Sequence, residues 1–158
     1  MKKEIFIISL IILILDQISK IIVNMYIKLN SSILIIRNFF YLRNVYNEGA
    51  AFSILEGNRL LFIIIGLISI YLIYSFIKDF NNNKRNIIVF GLLLGGILGN
   101  LLDRIFLGYV RDFLDFYIFN YNFPVFNIAD SAIFIGVVLL LMSMVKEKSN
   151  GSNSTRKR

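Results

Sequence analysis

The chain has 158 residues, of which 57% are hydrophobic, with a mean hydropathy of +0.71 and a formal charge of +7. It is too apolar for a soluble domain and long enough for only a few membrane spans, so one integral membrane domain is predicted. It contains no histidine and no cysteine, which excludes Ser-His-Asp and Cys-His catalysis, histidine-containing zinc motifs and thiol redox centres.

Four apolar stretches are each long enough for a helix that crosses the hydrocarbon core, which needs about 20 residues. They are residues 5–23, 60–77, 87–107 and 128–145. Basic residues are concentrated at both termini and between the second and third stretches, not along a nucleic-acid-binding face. The positive-inside rule makes these segments cytoplasmic, so both termini are expected inside. Residues 146–158, rich in Ser, Asn and basic side chains, are predicted to form a disordered cytoplasmic tail.

The first stretch carries two opposite charges near its end. Asp16 and Lys20 are four residues apart, so they share one helix face and can neutralise each other. Charged groups inside a membrane usually pair, which favours a buried ion pair that fixes helix packing. Alternatively, the Lys20 side chain extends to the outer headgroups.

The segment between the first two stretches is too long for a simple connector. Its run at 33–46 is rich in β-branched and aromatic residues, a composition typical of short strands. We expect a small extracytoplasmic sheet between helices 1 and 2, at the membrane interface. Residues 47–53 follow as a turn and a group of small residues. The fold class is therefore an all-α membrane protein with four transmembrane helices and this small sheet.

The third stretch combines a glycine stripe with polar residues. The spacing of Gly91, Gly95 and Gly99 is typical of close helix packing. Three polar residues continue from this stripe at spacings of three and four and are expected to point into the bundle: Asn100, Asp103 and Arg104. Arg104 offers donors for a substrate carbonyl or phosphate, or it pairs with Asp103 or Asp16.

The connection between the third and fourth stretches contains two acids. Asp115 is expected to be solvated, as acids in loops usually are. Asp112 has the apolar neighbours Val110, Phe113 and Leu114, which would hold it at the hydrocarbon boundary. Burial there would raise the pKa of its carboxyl group.

The fourth stretch opens with a capping pattern. Asn127 is a natural N-cap, and Asp130 occupies the third helical position, where an acid reaches back to the cap. Capping alone would explain Asp130. Alternatively, Asp112 and Asp130 form a carboxylate dyad, in which one accepts a proton from water while the protonated one polarises a scissile carbonyl.

Four aspartates lie in or beside the apolar stretches: Asp16, Asp103, Asp112 and Asp130. Simple threading brings all four to one side of the membrane, and ionisable residues at membrane depth usually mark a site. An alternative function is a proton- or ion-coupled small transporter, since intramembrane carboxylates also relay protons. Small transporters tend to show repeats or broken helices near the midplane, whereas these acids gather at one surface. A scaffold protein would explain the glycine stripe but not the acids.

Five segments together resemble the bacterial lipoprotein signal peptidase family, also called signal peptidase II. In order they are Asp-Gln-Ile-Ser-Lys at 16–20, Asn-Glu-Gly-Ala-Ala-Phe-Ser at 47–53, Gly-Gly-Ile-Leu-Gly-Asn-Leu-Leu-Asp-Arg at 95–104, Gly-Tyr-Val-Arg-Asp-Phe at 108–113 and Phe-Asn-Ile-Ala-Asp at 126–130. The resemblance covers about residues 5 to 145. Five ordered segments are far more specific than any one of them.

The resemblance implies an aspartic intramembrane endopeptidase without metal or cofactor, with residues 1–145 as the protease domain. Such enzymes lie in the bacterial cytoplasmic membrane with the active site near the outer face. They remove signal peptides from diacylglyceryl-modified prolipoproteins, cutting before the lipidated cysteine. Their expected partners are these substrates, membrane lipids and globomycin-like inhibitors, with no role for nucleic acid.

The resemblance also implies residue roles. The family's catalytic dyad corresponds to Asp112 and Asp130. The positions that shape the site and bind substrate or inhibitor correspond to Asp16, Lys20, Asn47, Gly49, Asn100, Asp103, Arg104 and Asn127. The family usually has an apolar residue where this chain has Arg111. We expect Arg111 to face the outer headgroups; turned inward, its charge could lower the pKa of Asp112.

Overall fold

The computed structural model describes residues 1–49, 55–119 and 121–155. The elements, in chain order, are α1 (Lys2–Tyr26), β1 (Ser32–Ile36), β2 (Phe40–Asn47), α2 (Arg59–Phe76) with a short 3-10 turn (Ile77–Asp79), α3 (Lys84–Phe106), β3 (Val110–Ile118), β4 (Tyr121–Asn122) and α4 (Ile128–Thr155). Among these residues, four helices are long and apolar enough to cross a membrane. They coincide with the four predicted spans. The turn predicted at 47–53 lies partly outside the described residues.

Helix α3 is the centre of the bundle and packs closely against α1 and α4. A Cβ atom added to Gly95 would lie 2.7 Å from the Ser9 carbonyl oxygen of α1, and one added to Gly96 would lie 2.5 Å from the Ala129 carbonyl oxygen of α4. Side chains at these positions would collide with backbone. The predicted packing role of the glycine stripe is therefore confirmed.

Helix α2 packs far less tightly than the other three. None of its residues is buried. A cavity of about 480 Å³ separates it from α3 and α4, and its apolar lining includes Phe62, Ile73, Leu93, Ile97, Ile133 and Val137. This side of the bundle therefore has room for another apolar segment.

The four strands form one antiparallel sheet in the order β1-β2-β3-β4. Strands β1 and β2 lie between α1 and α2, as predicted, but β3 and β4 come from the connection between α3 and α4. The expectation that the connection containing Asp112 and Asp115 is a loop is therefore wrong from Val110 onward. Val110–Ile118 is rich in β-branched and aromatic residues, and pairing with β2 satisfies its backbone groups.

The sheet lies over the end of the bundle where α1 and α3 finish and α4 begins. Phe113 of β3 packs against Val23 and Ile27 at the end of α1. On the other face of the strand, the Phe116 ring stacks between the rings of Phe40 and Phe126, with centroids 4.5 and 5.7 Å away. These contacts hold β3 beside the first turn of α4.

The C-terminal segment is helical in its backbone as far as Thr155, because α4 continues beyond the predicted span. Disorder was predicted for residues 146–158. The division of the chain into a membrane domain and a cytoplasmic tail stays a prediction.

Candidate active site

Two of the four aspartates line one small cavity beneath the sheet. Asp112 lies on β3 and Asp130 in the first turn of α4, and both border a space of about 260 Å³. The remaining lining residues are Asn47, Asn100, Arg104, Val110, Pro124, Val125 and Phe126. The strand therefore brings Asp112 to the helix that carries Asp130, as the dyad hypothesis requires.

Asn127 contacts both acids of the pair. Its side-chain amide donates to Asp112 Oδ1 at 2.6 Å. Its Oδ1 accepts a bond from the Asp130 backbone N–H at 2.9 Å, while its own backbone N–H donates to Asp130 Oδ2 at 3.2 Å. The last two bonds form a reciprocal cap of the α4 N-terminus. The capping role predicted for Asn127 and Asp130 is thus present, and the same cap links the two carboxylates.

Asp112 is surrounded by apolar groups and amide donors. It is 3% exposed, and Asn47 donates to its Oδ2 at 3.0 Å. Burial and, after it, the charge of Asp130 raise the pKa of Asp112 to about 7, although the Asn47 and Asn127 bonds act in the opposite direction. The predicted burial and raised pKa of this acid are confirmed.

Asp130 also has amide partners. The Asn100 side chain donates to its Oδ1 at 2.6 Å, and the capping bond satisfies Oδ2. The carboxylate lies at the positive end of the α4 dipole. In the described residues, neither acid of the pair is within ion-pair distance of a lysine or arginine.

The other two aspartates lie in a buried ion network behind the cavity. Lys20 contacts Asp16 Oδ2 at 2.7 Å and Asp103 Oδ2 at 3.3 Å, and it donates to Asn100 Oδ1 at 3.0 Å. Asp16 Oδ1 also accepts the Ala129 backbone N–H of α4 at 2.9 Å. Lys20 is 1% exposed, so the alternative that it extends to the headgroups is wrong and the ion-pair hypothesis is confirmed.

Arg111 belongs to this network, and the expectation that it faces outer headgroups is wrong. Its side chain is only 12% exposed and lies 2.6 Å from Asp103 Oδ1. Because β3 is a strand, consecutive side chains alternate between its faces, so the residue before Asp112 turns towards α1 and α3. Its charge is neutralised by Asp103.

Arg104 lies between the two cavities. In the described part of the chain it makes no ion pair with Asp103 or Asp16, contrary to one of the alternatives considered. Instead, it donates to the Gly49 carbonyl oxygen at 3.1 Å, and its guanidinium lies 4.9 Å from the centre of the Phe62 ring. Its donors are therefore held beside Asp112 and Asp130 without a carboxylate partner.

Asp115 is buried rather than solvated, which corrects another expectation. It is 2% exposed, and Arg43 is its nearest cation at 4.0 Å. Among the described residues its Oδ1 has no hydrogen-bond partner, and burial raises the pKa of the Asp115 carboxyl group. Asp115 shares a strand face with Phe113 and lies outside the cavity of the dyad, so the structure does not bring it to the site.

Gln17 is the polar contributor that the sequence reasoning missed. Its amide nitrogen donates to Asp103 Oδ1, Asp16 Oδ2 and the Gly99 carbonyl oxygen at 3.1 to 3.2 Å, and its Oε1 accepts from Arg111 Nη2 at 2.8 Å. Its position next to Asp16, as a polar residue inside an apolar stretch, is the sequence feature that indicates a role in the site.

Comparison with known proteins identifies relatives over nearly the whole chain. A family model described as signal peptidase (SPase) II matches residues 8–146. The chain is 41% identical to the lipoprotein signal peptidase of Halalkalibacterium halodurans, with 90% of this chain and 92% of that protein covered. It is 46% identical to the lipoprotein signal peptidase of Francisella tularensis subsp. novicida, with 94% and 96% covered.

Solved structures agree with these matches. The fold is similar to a bacterial membrane enzyme solved by the in meso method at 2.3 Å, with a TM-score of 0.86, 39% identity, and coverage of 92% of this chain and 90% of that one. A second bacterial membrane enzyme, at 1.9 Å, gives a TM-score of 0.82, 38% identity, and coverage of 90% and 92%.

Proposed function

The chain belongs to the signal peptidase II family, and from this membership we propose that it is an aspartic endopeptidase whose catalytic pair is Asp112 and Asp130. Lipoprotein signal peptidase activity is the function that the family and its relatives indicate, and it is favoured over a transporter.

One observation carries this assignment. The buried carboxylate of Asp112 and the half-buried carboxylate of Asp130 line one cavity, have amide and backbone donors as partners, and share Asn127 between them. Burial and the charge of Asp130 raise the pKa of Asp112 to about 7, so the pair favours carrying a single proton near neutral pH. A pair with one protonated and one ionised member is what peptide hydrolysis by carboxylates needs.

In the proposed mechanism, Asp112 holds the shared proton and Asp130 is ionised at the α4 N-terminus. Asp130 accepts a proton from water as the water oxygen attacks the scissile carbonyl carbon. Asp112 donates its proton to the carbonyl oxygen, which gives a neutral tetrahedral intermediate. Breakage of the C–N bond follows, with Asp130 giving its proton to the leaving amine and Asp112 regaining the hydroxyl proton. The pair ends in its starting state.

The amide side chains keep this pair aligned. Asn100 binds Asp130 and Asn127 binds Asp112, and Asn127 also donates to Asn100 Oδ1 at 3.1 Å. These two asparagine side chains therefore form one chain of bonds between the acids. Asn47 fixes the remaining oxygen of Asp112. We assign these asparagines to positioning the acids.

The two cavities provide a path for substrate. The apolar cavity between α2, α3 and α4 shares Asn100 and Arg104 with the cavity of the dyad. An apolar signal segment lying in the first cavity would present its C-terminal end to the acids. Arg104 would then bind a substrate carbonyl with the donors that now reach Gly49. Asp16, Lys20 and Asp103 support this arrangement from behind.

We propose that the site lies near the outer face of the bacterial cytoplasmic membrane, with both termini inside. The basic residues at the N-terminus and around the α2–α3 connection are at the end of the bundle opposite the sheet, and the positive-inside rule assigns that end to the cytoplasm. Diacylglyceryl-modified prolipoproteins and bilayer lipids are the proposed partners, and globomycin-like compounds the proposed inhibitors.

The test is cleavage by the purified protein in detergent. A lipidated prolipoprotein should be cut immediately before the modified cysteine, as read by mass spectrometry, and the unlipidated precursor should be a much poorer substrate. Globomycin should inhibit the reaction. Absence of cleavage by a folded preparation, together with proton-driven solute uptake in vesicles, would instead favour the transporter.

A further inference from the structure

Arg111 is the residue immediately before Asp112, yet its side chain contacts neither acid of the dyad. It forms a fork on Asp103, with Nη2 donating to Oδ1 at 2.6 Å and Nε to Oδ2 at 3.2 Å. A second Nη2 bond reaches Gln17 Oε1 at 2.8 Å. Two parallel bonds to one carboxylate fix the direction of the guanidinium as well as its distance.

The backbone of the strand is held by the same carboxylate. The Arg111 backbone N–H donates to Asp103 Oδ2 at 3.0 Å. Asp103 therefore binds both the main chain and the side chain of the residue that precedes Asp112. Asp103 lies on α3 and Gln17 on α1, so these bonds tie β3 to both helices.

The charges of the network balance only when Arg111 is included. Asp16 and Asp103 are matched by Lys20 and Arg111, and the four side chains are buried or nearly so. Removal of one member of a buried ionic group leaves an uncompensated charge. Lys20 alone would then face both acids, and it is also the donor to Asn100, which binds Asp130. The network therefore connects to both members of the dyad.

We propose that Arg111, oriented by Gln17 and Asp103, is a positioning residue that sets the placement of the Asp112 carboxylate relative to Asp130. This inference rests on the proposed dyad. Catalytic groups must be held close to their productive geometry, and a displacement of about 1 Å can lower the rate about 100-fold. The fork fixes the strand at the residue before Asp112. Asn47 and Asn127 hold the Asp112 carboxylate itself.

The test compares variants of the full chain purified in detergent, with kcat and KM measured on a lipidated prolipoprotein. Arg111→Met keeps the length of the side chain but removes the fork. It should lower kcat about tenfold or more and leave KM within about twofold, because substrate contacts are unchanged. Arg111→Lys keeps the charge but offers one point of contact instead of a fork, so it should recover only part of kcat.

Two further variants complete the design. Arg37→Met, in the exposed turn between β1 and β2, is the matched control and should keep the parental kcat. Gln17→Leu retains all four charges while removing the acceptor for Arg111 Nη2, and it should lower kcat several-fold at constant KM. It keeps the proposal testable if Arg111→Met does not fold.

Three results would overturn the proposal: parental kcat in Arg111→Met or Gln17→Leu, full recovery in Arg111→Lys, or a raised KM with unchanged kcat. Full recovery of kcat in Arg111→Lys would mean that Arg111 acts only by balancing charge. Activity in Asp112→Asn would instead remove the dyad itself. If Asp112→Asn is inactive and Arg111→Met is fully active, the proposed dyad stands and only the positioning role of Arg111 is wrong.

Discussion

The four aspartates of this site form two pairs that differ in their counter-charges. Asp16 and Asp103 are neutralised by Lys20 and Arg111 at distances of 2.6 to 3.3 Å. Asp112 and Asp130 receive bonds from asparagine side chains and backbone instead. All four are aspartates, and three of them are buried while Asp130 is half-buried, so the presence of a cation is the main difference between the pairs.

This difference has opposite consequences for folding and for chemistry. A buried acid with a cation stays ionised and holds helices together, but it cannot exchange protons near neutral pH. A buried acid without a cation is costly to ionise, which is why the pKa of Asp112 lies at about 7. Acids with a pKa raised in this way are typical of functional sites. The first pair is therefore expected to govern stability, and the second to govern turnover.

The largest effect is expected for the uncompensated pair. Asp112→Asn and Asp130→Asn should each lower cleavage by about 1,000-fold or more, because each removes one partner in proton transfer. Both proteins should remain folded, since no buried cation loses its partner. The rate of signal-peptide release, with thermal unfolding in detergent, measures both properties.

Asp115→Asn is the matched control, because Asp115 is equally buried on the same strand but lies outside the cavity. It should keep near-parental turnover. Cleavage at a near-parental rate by either dyad variant would remove that aspartate from the proposed mechanism.

The compensated pair should respond in the opposite way. Asp16→Ala leaves Lys20 buried with Asp103 as its remaining acid and removes the acceptor of the Ala129 N–H. Breaking a buried ion pair from one side typically costs about 3–5 kcal/mol. The melting temperature in detergent should fall clearly, more than in Asp112→Asn. An unchanged melting temperature would mean that the pair does not stabilise the bundle.

Close helix approach beneath the compensated pair should also matter for stability. A Cβ on Gly99 would lie 2.6 Å from Asp16 Oδ2, whereas one on Gly66 would lie 3.1 Å from the movable Leu101 Cδ1. Gly99→Ala should therefore cost about 1–3 kcal/mol by overpacking, and Gly66→Ala much less. Thermal unfolding of the two variants gives the comparison, and equal melting temperatures would contradict it.

Much of this arrangement follows from local sequence pattern. The spans are readable because about 20 apolar residues are needed to cross a bilayer, and the glycine spacing indicates the contact face of α3. The Asp16–Lys20 pair follows from helical spacing alone, and the apolar neighbours of Asp112 indicate its burial. Each of these inferences depends on residues close together in the chain.

The errors concern one long-range contact, the pairing of β3 with β2. Two acids within seven residues of Gly108 suggested a loop. No local signal indicated a partner strand about 65 residues earlier, where Asn47 donates to Asp112. Because the strand was missed, Arg111 was assigned to the headgroups and Asp115 to solvent. The alternation of side chains along β3 and the pairing of β3 with β2 determine where the Arg111 and Asp115 side chains point.

The smallest expected effect is a shift in pH dependence. With no histidine or cysteine in the chain, an activity limb near neutrality should come from the dyad. Because the pKa of Asp112 is raised to about 7, activity should fall as the pH rises through that value and the shared proton is lost. The Asn47 bond lowers this pKa, so Asn47→Leu should move the limb to higher pH, by about one unit or less.

Arg111→Val provides the contrast, because the Arg111 charge is already paired with Asp103. Arg111→Val should shift the alkaline limb of the pH–rate profile less than Asn47→Leu does, but it should lower kcat more. The two variants therefore separate the positioning of Asp112 from the tuning of its pKa. Rate measurements from pH 5 to 9 on both variants, with a substrate that does not titrate in this range, provide the comparison. A wild-type profile that is flat to the pH where lysine and tyrosine ionise would contradict the shared proton, provided that single-turnover rates are flat as well. A flat steady-state profile with a limb in single turnover would place product release, rather than proton transfer, as the slow step.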